Sequence, residues 1–262
     1  MLLIIEALLI LATLGQDHRT AASEGQIFPL DMALNSVDDK YDGCTGDMTH
    51  LVETEYLKRE LNNSESDFKK SWQDFDSKNN STKPEHNMTR NHSVAIYVYT
   101  DRKVYGVFSN DTRYGKQNYT NDTYKWYSLH FLLTKAIQIL KETQDKCILT
   151  YRNTKVKFNE SVKNTTVRFG QFASSSYNPN KAKFFGNVSC FEIYTCYGAN
   201  VTKYSKFPHE QEVLIPPYEM FNVIDVKSIR DFKNLRCETV YTLNSTGTQS
   251  DLNCALFTRP RS

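Results

Sequence analysis

The chain has 262 residues, 39% of them hydrophobic and 13% aromatic, which is enough to fill a sizeable core. Its 32 basic and 30 acidic residues nearly cancel, so net charge makes no case for nucleic acid or an anionic membrane surface as a partner. Any charge logic must be local.

The first fifteen residues, MLLIIEALLILATLG, are an apolar run too short to span a bilayer comfortably, followed by polar Gln16-Asp17-His18-Arg19. This pattern predicts a signal peptide over about 1–22, although Glu6 interrupts it and no Lys or Arg precedes it. Residues 23–262 would then form one domain. Met48, Leu51, Val52, Tyr56 and Leu61 recur on one helical face, as do Phe68, Trp72 and Phe75, with the polar break Asn62-Asn63-Ser64-Glu65-Ser66 between them. A polar stretch from Lys78 to Arg90 predicts a loop. The run from Val94 to Thr100 is β-branched and aromatic. The strongest helix runs from Lys125 to Glu142, where Leu129, Leu132, Leu133, Ala136, Ile137 and Leu140 form a core-facing stripe.

From Cys147 the pattern changes to short β-rich runs: Ile148 to Tyr151, Thr165 to Phe172, Cys190 to Cys196, Glu212 to Ile215, Phe221 to Val226 and Thr239 to Leu243. Helices followed by strands predict an α+β fold, helical over about 23–145 and β-rich over about 146–256. No GxGxxG or GxxxxGK[ST] segment follows a strand, so neither a dinucleotide-binding βαβ unit nor a phosphate-binding loop is expected.

Asn-X-Ser/Thr sequons recur from Asn62 to Asn244, among them Asn159, Asn164, Asn187 and Asn200, and point to the secretory route. The six cysteines fit three disulfides, with the pairing left open by sequence. Zinc is a poor alternative, since no CxxC pair exists and the closest spacing, Cys190 to Cys196, lacks a neighbouring His. No second apolar run reaches membrane length, and the C-terminus lacks the hydrophobic tail of a lipid-anchor signal. A secreted, soluble protein is expected.

Three segments place reactive side chains on or beside β-rich runs: Thr150-Tyr151-Arg152, Arg168 to Ser176, and Phe207 to Pro217. In Glu210-Gln211-Glu212 an extended backbone would turn both carboxylates to one face. Two adjacent acids oppose each other's ionisation and need a compensating cation or substrate.

An Arg at a strand end, an aromatic-hydrophobic-Ser-x-Ser segment and Glu-x-Glu, in that order, resemble the arginine-specific ecto-ADP-ribosyltransferases of vertebrates. The resemblance spans roughly Phe28 to Cys254 and includes Leu30 to Asp39, Leu129 to Thr134, Arg168 to Ser176 and Glu212 to Pro217. It implies a helical part followed by a two-sheet β core with an NAD⁺ cleft. It also implies transfer of ADP-ribose from NAD⁺ (or NADP⁺) to arginines of extracellular proteins, without a metal. Arg152 would grip NAD⁺, Ser174 would orient the nicotinamide ribose and the catalytic acid, Glu212 would be the catalytic glutamate, and Glu210 would set arginine specificity. Tyr99, Gln171 and Ser205 match positions lining the NAD⁺ site in relatives. The disulfides implied are Cys44 with Cys254 and Cys147 with Cys196, leaving Cys190 with Cys237. Asn153 follows Arg152 where the family commonly has Gly, so the local backbone would differ or adopt the left-handed conformation Asn tolerates. Within the same chemistry, water could replace arginine and give an NAD⁺ glycohydrolase. A catalytically silent glycoprotein of the same fold is the alternative from another class. A monomer without stable membrane insertion is expected.

Overall fold

A computed structural model describes residues 26–64, 66–78, 83–85 and 87–257. The expected signal peptide, the sequons at Asn79 and Asn80, and residues 258–262 lie outside them. Helices α1 (Thr45–Leu51) and α2 (Leu57–Leu61) join through a π-helical turn, Val52–Tyr56, and α3 (Asp67–Lys78), α4 (Arg90–Thr100), α5 (Arg102–Tyr114), α6 (Lys116–Thr120) and α7 (Tyr127–Lys141) follow. Apart from β1 (Ile27–Phe28), the strands come after them.

The Val94 to Thr100 run, strand-like in composition, is helical. Thr89 and His92 close a capping box at its start, and every side chain from His92 to Thr100 is buried. A helix covered on all sides has no polar face, so periodicity cannot separate it from a buried strand. Its neighbour α7 follows the predicted stripe and is buried almost throughout. These two helices anchor a core that takes in Phe108, Tyr119, Phe172 and Leu214.

The strands are β2 (Ile148–Thr154), β3 (Lys157–Phe158), β4 (Thr166–Val167), β5 (Ala173–Ser176), β6 (Ser189–Thr195), β7 (Ala199–Asn200), β8 (Glu212–Ile215), β9 (Glu219–Ser228) and β10 (Thr239–Thr248). The short β1 pairs with β3, and the others follow the order β4-β9-β10-β6-β2-β5-β8-β7. At the β2–β5 step the registered pair is Tyr151 with Ser176, so the order divides there into a five-strand and a three-strand part. A second core gathers Phe191 and Ile193 of β6, Ile215 of β8, Phe221 of β9 and Tyr241 of β10 with Phe169 from the segment before β5. Between β5 and β6 lie the short helix α8 (Pro179–Ala182) and a 3-10 turn, Lys183–Phe185.

Disulfides join Cys44 to Cys254, Cys147 to Cys196 and Cys190 to Cys237. The first ties the segment before α1 to the end of the described chain. Beside it, Asp39 accepts from the backbone N–H groups of Tyr41 and Cys254. The same segment docks on α7 through His130, fully buried, whose Nε2–H donates to the Val37 carbonyl at 3.0 Å while Nδ1 accepts from the Tyr41 hydroxyl at 2.8 Å. Burial lowers the His130 pKa from 6.5 to about 4, so the ring is neutral at neutral pH and its Nδ1 serves as the acceptor.

The native state thus binds this proton less tightly than the unfolded chain. The His130 contribution to stability is complete above 6.5 and is lost as pH falls towards about 4. His130→Gln lacks this dependence. In denaturant unfolding, the wild type's margin over the variant should shrink on the order of 3 kcal/mol between neutral and acidic pH. A margin independent of pH would show that His130 is not held neutral.

Candidate active site

The division of the sheet is where the predicted motif residues meet. Arg152 sits on β2 one residue beyond Tyr151, Ser174 lies on β5, and Glu212 opens β8 opposite Ser176. All three line one cavity of about 540 Å³ with Glu210, Tyr105, Phe207 and residues of α8 and its 3-10 turn, a size suited to a small-molecule site. Cations from Arg102, Arg152, Lys155 and Lys181 share this wall with the two carboxylates. Phe184 stands at its edge, 82% exposed, with a ring face open for stacking.

Arg152 is held on two sides: Nη1 donates to the Ser174 carbonyl at 2.6 Å and Nη2 to the Tyr105 hydroxyl at 3.3 Å. Its planar fork is thereby oriented before any ligand arrives. Asn153 continues β2 opposite Cys190 and is not among the positive-φ residues, so the left-handed alternative fails. Its side-chain amide donates to the Gly186 carbonyl at 3.1 Å, and Gly186, at φ 146°, packs directly on the Thr154 backbone. The departure from Gly is thus accommodated by a regular strand tied to the neighbouring turn.

Tyr99, Gln171 and Ser205 stand outside the cavity wall. Tyr99 is fully buried on α4 behind Ser174, with its hydroxyl 3.0 Å from both Ser174 Oγ and the Phe172 carbonyl. Burial, followed by Tyr105 and Glu212, pushes its pKa well above the ordinary tyrosine value, so it remains a neutral brace for Ser174. Ser205 is also buried and accepts from the Phe207 backbone N–H at 3.1 Å, which fixes the start of the segment leading to Glu210. Gln171 is half-buried between Gly170 and Phe172, short of β5.

Glu210 and Glu212 reach the same cavity by a route other than strand alternation. Pro208–Glu210 forms a 3-10 turn, and Gln211 adopts a left-handed conformation at φ 55°, ψ 54° before β8 begins. Ser176 Oγ donates to this turn, 2.8 Å from the Glu210 carbonyl and 3.1 Å from that of Gln211, while Asn178 donates to the Gln211 side chain at 2.9 Å. Glu212 is buried, whereas the Glu210 side chain is 21% exposed. One carboxylate lies in the cleft floor and the other nearer solvent.

Sequence reasoning missed Tyr105 and Arg102, and took in Phe207 only as the start of a candidate segment. The first two come from α5, where apolar Val104 and Phe108 at i, i+4 are the local signal for a helix. Nothing in that pattern says that its first turn would face β2 and β8. Among the described residues no group of three His, Cys, Asp or Glu side chains is placed to hold a metal ion.

Residues 30–249 match the NAD:arginine ADP-ribosyltransferase family. The chain is 31% identical over 240 residues to NAD(P)(+)--arginine ADP-ribosyltransferase 1 of Gallus gallus, covering 87% of this chain and 73% of that protein. It is 35% identical over 216 residues to T-cell ecto-ADP-ribosyltransferase 2 of Mus musculus, covering 79% and 72%. In structure it is similar to a mutant of the eucaryotic mono-ADP-ribosyltransferase ART2.2 solved in complex with NADH, with TM-score 0.73, 28% identity, and coverage of 87% of this chain and 98% of the other. The chain belongs to the NAD:arginine ADP-ribosyltransferase family.

Proposed function

We propose that the protein transfers a single ADP-ribose from NAD⁺ to arginine side chains of extracellular proteins, releasing nicotinamide. The observation that carries this reading is the convergence of Arg152, Ser174, Glu212 and Glu210 on one cavity. Cleavage of the nicotinamide–ribose bond develops positive charge at C1′, which a carboxylate beside the ribose stabilises as in glycosidases. Glu212 has this role, held in the cleft floor by the start of β8. The pyrophosphate matches the planar donor fork of Arg152 better than a lysine point charge. Ser174, braced by Tyr99, orients the ribose. The acceptor guanidinium is protonated at ordinary pH and a poor nucleophile, so a second carboxylate at the solvent side, Glu210, has reason to be there.

Secretion is supported by three disulfides with no free cysteine among the described residues. The exposed sequon asparagines Asn110, Asn118, Asn159, Asn164 and Asn187 add to it. No helix of the described residues is long and apolar enough to cross a membrane. The domain acts as a monomer. Incubation of the purified secreted chain with ADP-ribose-labelled NAD⁺ and polyarginine should label the polymer and release an equal amount of nicotinamide. Nicotinamide release with free ADP-ribose alone would instead make it a glycohydrolase, and release of neither would make it catalytically silent.

A further inference from the structure

The five-strand part of the sheet carries a row of side chains in register: Leu149 of β2 opposite Tyr194 of β6, Tyr194 opposite Asn244 of β10, and Asn244 opposite Asn222 of β9. Alternation turns them outward, since Thr150, Ile193 and Leu243 beside them are buried, whereas Leu149 is 49% and Tyr194 46% exposed. Asn244 is exposed as well. A buried carboxylate fixes the same orientation: Glu219 accepts from the Thr195 hydroxyl at 2.6 Å and from the Ser245 hydroxyl at 2.7 Å. Thr195 and Ser245 follow Tyr194 and Asn244 on the parallel strands β6 and β10. With both hydroxyls drawn inward, Tyr194 and Asn244 stand outward side by side on backbones about 4.8 Å apart. Asn244-Ser245-Thr246 is a sequon, and its first and third residues are the exposed ones.

We infer that Asn244 carries an N-linked oligosaccharide whose first N-acetylglucosamine packs on the Tyr194 ring, so that the glycan covers this face of the sheet. The inference rests on the secretory route proposed above. The donor is a lipid diphosphate-linked oligosaccharide of that route. The Asn244 side-chain nitrogen bonds to C1 of its reducing-end N-acetylglucosamine, and the bond from C1 to the diphosphate oxygen breaks. The diphosphate leaves with that electron pair, and the amide gives up one proton. The C–H groups along one side of a pyranose suit the electron-rich face of an aromatic ring. An asparagine on the adjacent strand holds the sugar there with no loop to order. The half-exposed pair of Leu149 and Tyr194 thereby loses apolar surface to the sugar rather than to water or to a second copy of the chain.

The full chain would be expressed in mammalian cells, collected from the medium, treated with peptide N-glycosidase F in heavy-oxygen water and mapped by mass spectrometry. The expected result is heavy aspartate at position 244. Thermal unfolding then tests the contact. Tyr194→Ala should lower the Tm of the glycosylated chain by about 2–4 °C, and Tyr194→Phe should leave it unchanged. Once Thr246→Ala or Asn244→Gln has removed the sequon, Tyr194→Ala should have no such effect. An unmodified Asn244 in a chain whose other sequons are occupied would overturn the inference and leave the secretory route standing. An equal effect of Tyr194→Ala with and without the sequon would overturn it too, by showing that the sugar does not touch the ring. So would a wild type that sediments as a dimer and that Tyr194→Ala dissociates, which would give the face to a second copy. A chain retained in the cell with no sequon occupied would end both readings.

Discussion

Glu212→Gln should cut both arginine transfer and nicotinamide release by a factor on the order of 10²–10³, whereas Glu210→Gln should impair transfer alone. The asymmetry follows from where the two side chains stand. Glu212 is buried at the start of β8, in register with Ser176 and beside the strand that carries Ser174. The amide retains its size and hydrogen-bonding capacity but not the charge opposite the developing oxocarbenium. Loss of a preorganised electrostatic partner of this kind costs on the order of 10²–10³ in kcat. The donor half-reaction is slowed whichever acceptor follows, so water fares no better than arginine. Glu210 belongs to the preceding 3-10 turn and is partly exposed beside Arg102. Its amide leaves the charge at Glu212 in place and impairs only proton removal from the guanidinium, so transfer should fall by on the order of 10² while hydrolysis to free ADP-ribose persists. Nicotinamide and ADP-ribosyl-arginine would be measured for both variants after circular dichroism shows each to be folded. Equal loss of both products in Glu210→Gln would mean that the donor and acceptor roles are assigned wrongly.

That these residues meet was legible because the motif residues lie on or beside short strands whose order in sequence survives in the sheet. Arg152, Ser174 and Glu212 occupy β2, β5 and β8, which are neighbours. What holds them was less legible. Strand alternation puts Glu210 and Glu212 on one face, but the left-handed Gln211 and the Ser176 hydroxyl under the turn achieve their common exposure to the cavity instead. Tyr99 illustrates the same limit. Its strand-like run is a buried helix, and the hydroxyl matters because it meets Ser174, 75 residues away in sequence. The α7 stripe was readable because one face of amphipathic spacing is enough to identify a helix. No such pattern exists for a helix enclosed on every side, or for a cavity wall assembled from α5, α8, two 3-10 turns and three strands.

Asp38→Ala should destabilise the protein by about 3–5 kcal/mol, a large part of the ~5–15 kcal/mol that holds a typical domain together. Asp38 and Arg168 form an ion pair at 2.6 Å with both side chains essentially inaccessible to solvent. The guanidinium also donates to the carbonyls of Met32 and Gln249, and Asp38 accepts from the backbone N–H groups of Asp251 and Leu252. This one pair thus joins the N-terminal segment, the stretch between β4 and β5, and the segment after β10. Removing the carboxylate leaves a buried cation without its counter-charge and two backbone donors without their acceptor, which is why the loss exceeds that of a surface pair. Replacing both partners with apolar residues behaves differently, because it removes the desolvation cost along with the attraction. Asp38→Leu combined with Arg168→Met should therefore be more stable than Asp38→Ala alone, although the freed backbone donors keep it below the wild type. Denaturant unfolding of the disulfide-intact proteins, arranged as a double-mutant cycle, measures the coupling directly. If the double replacement proves as destabilised as the sum of its single changes, the pair contributes no coupling, and the junction is held by its backbone hydrogen bonds and the Cys44–Cys254 bridge instead.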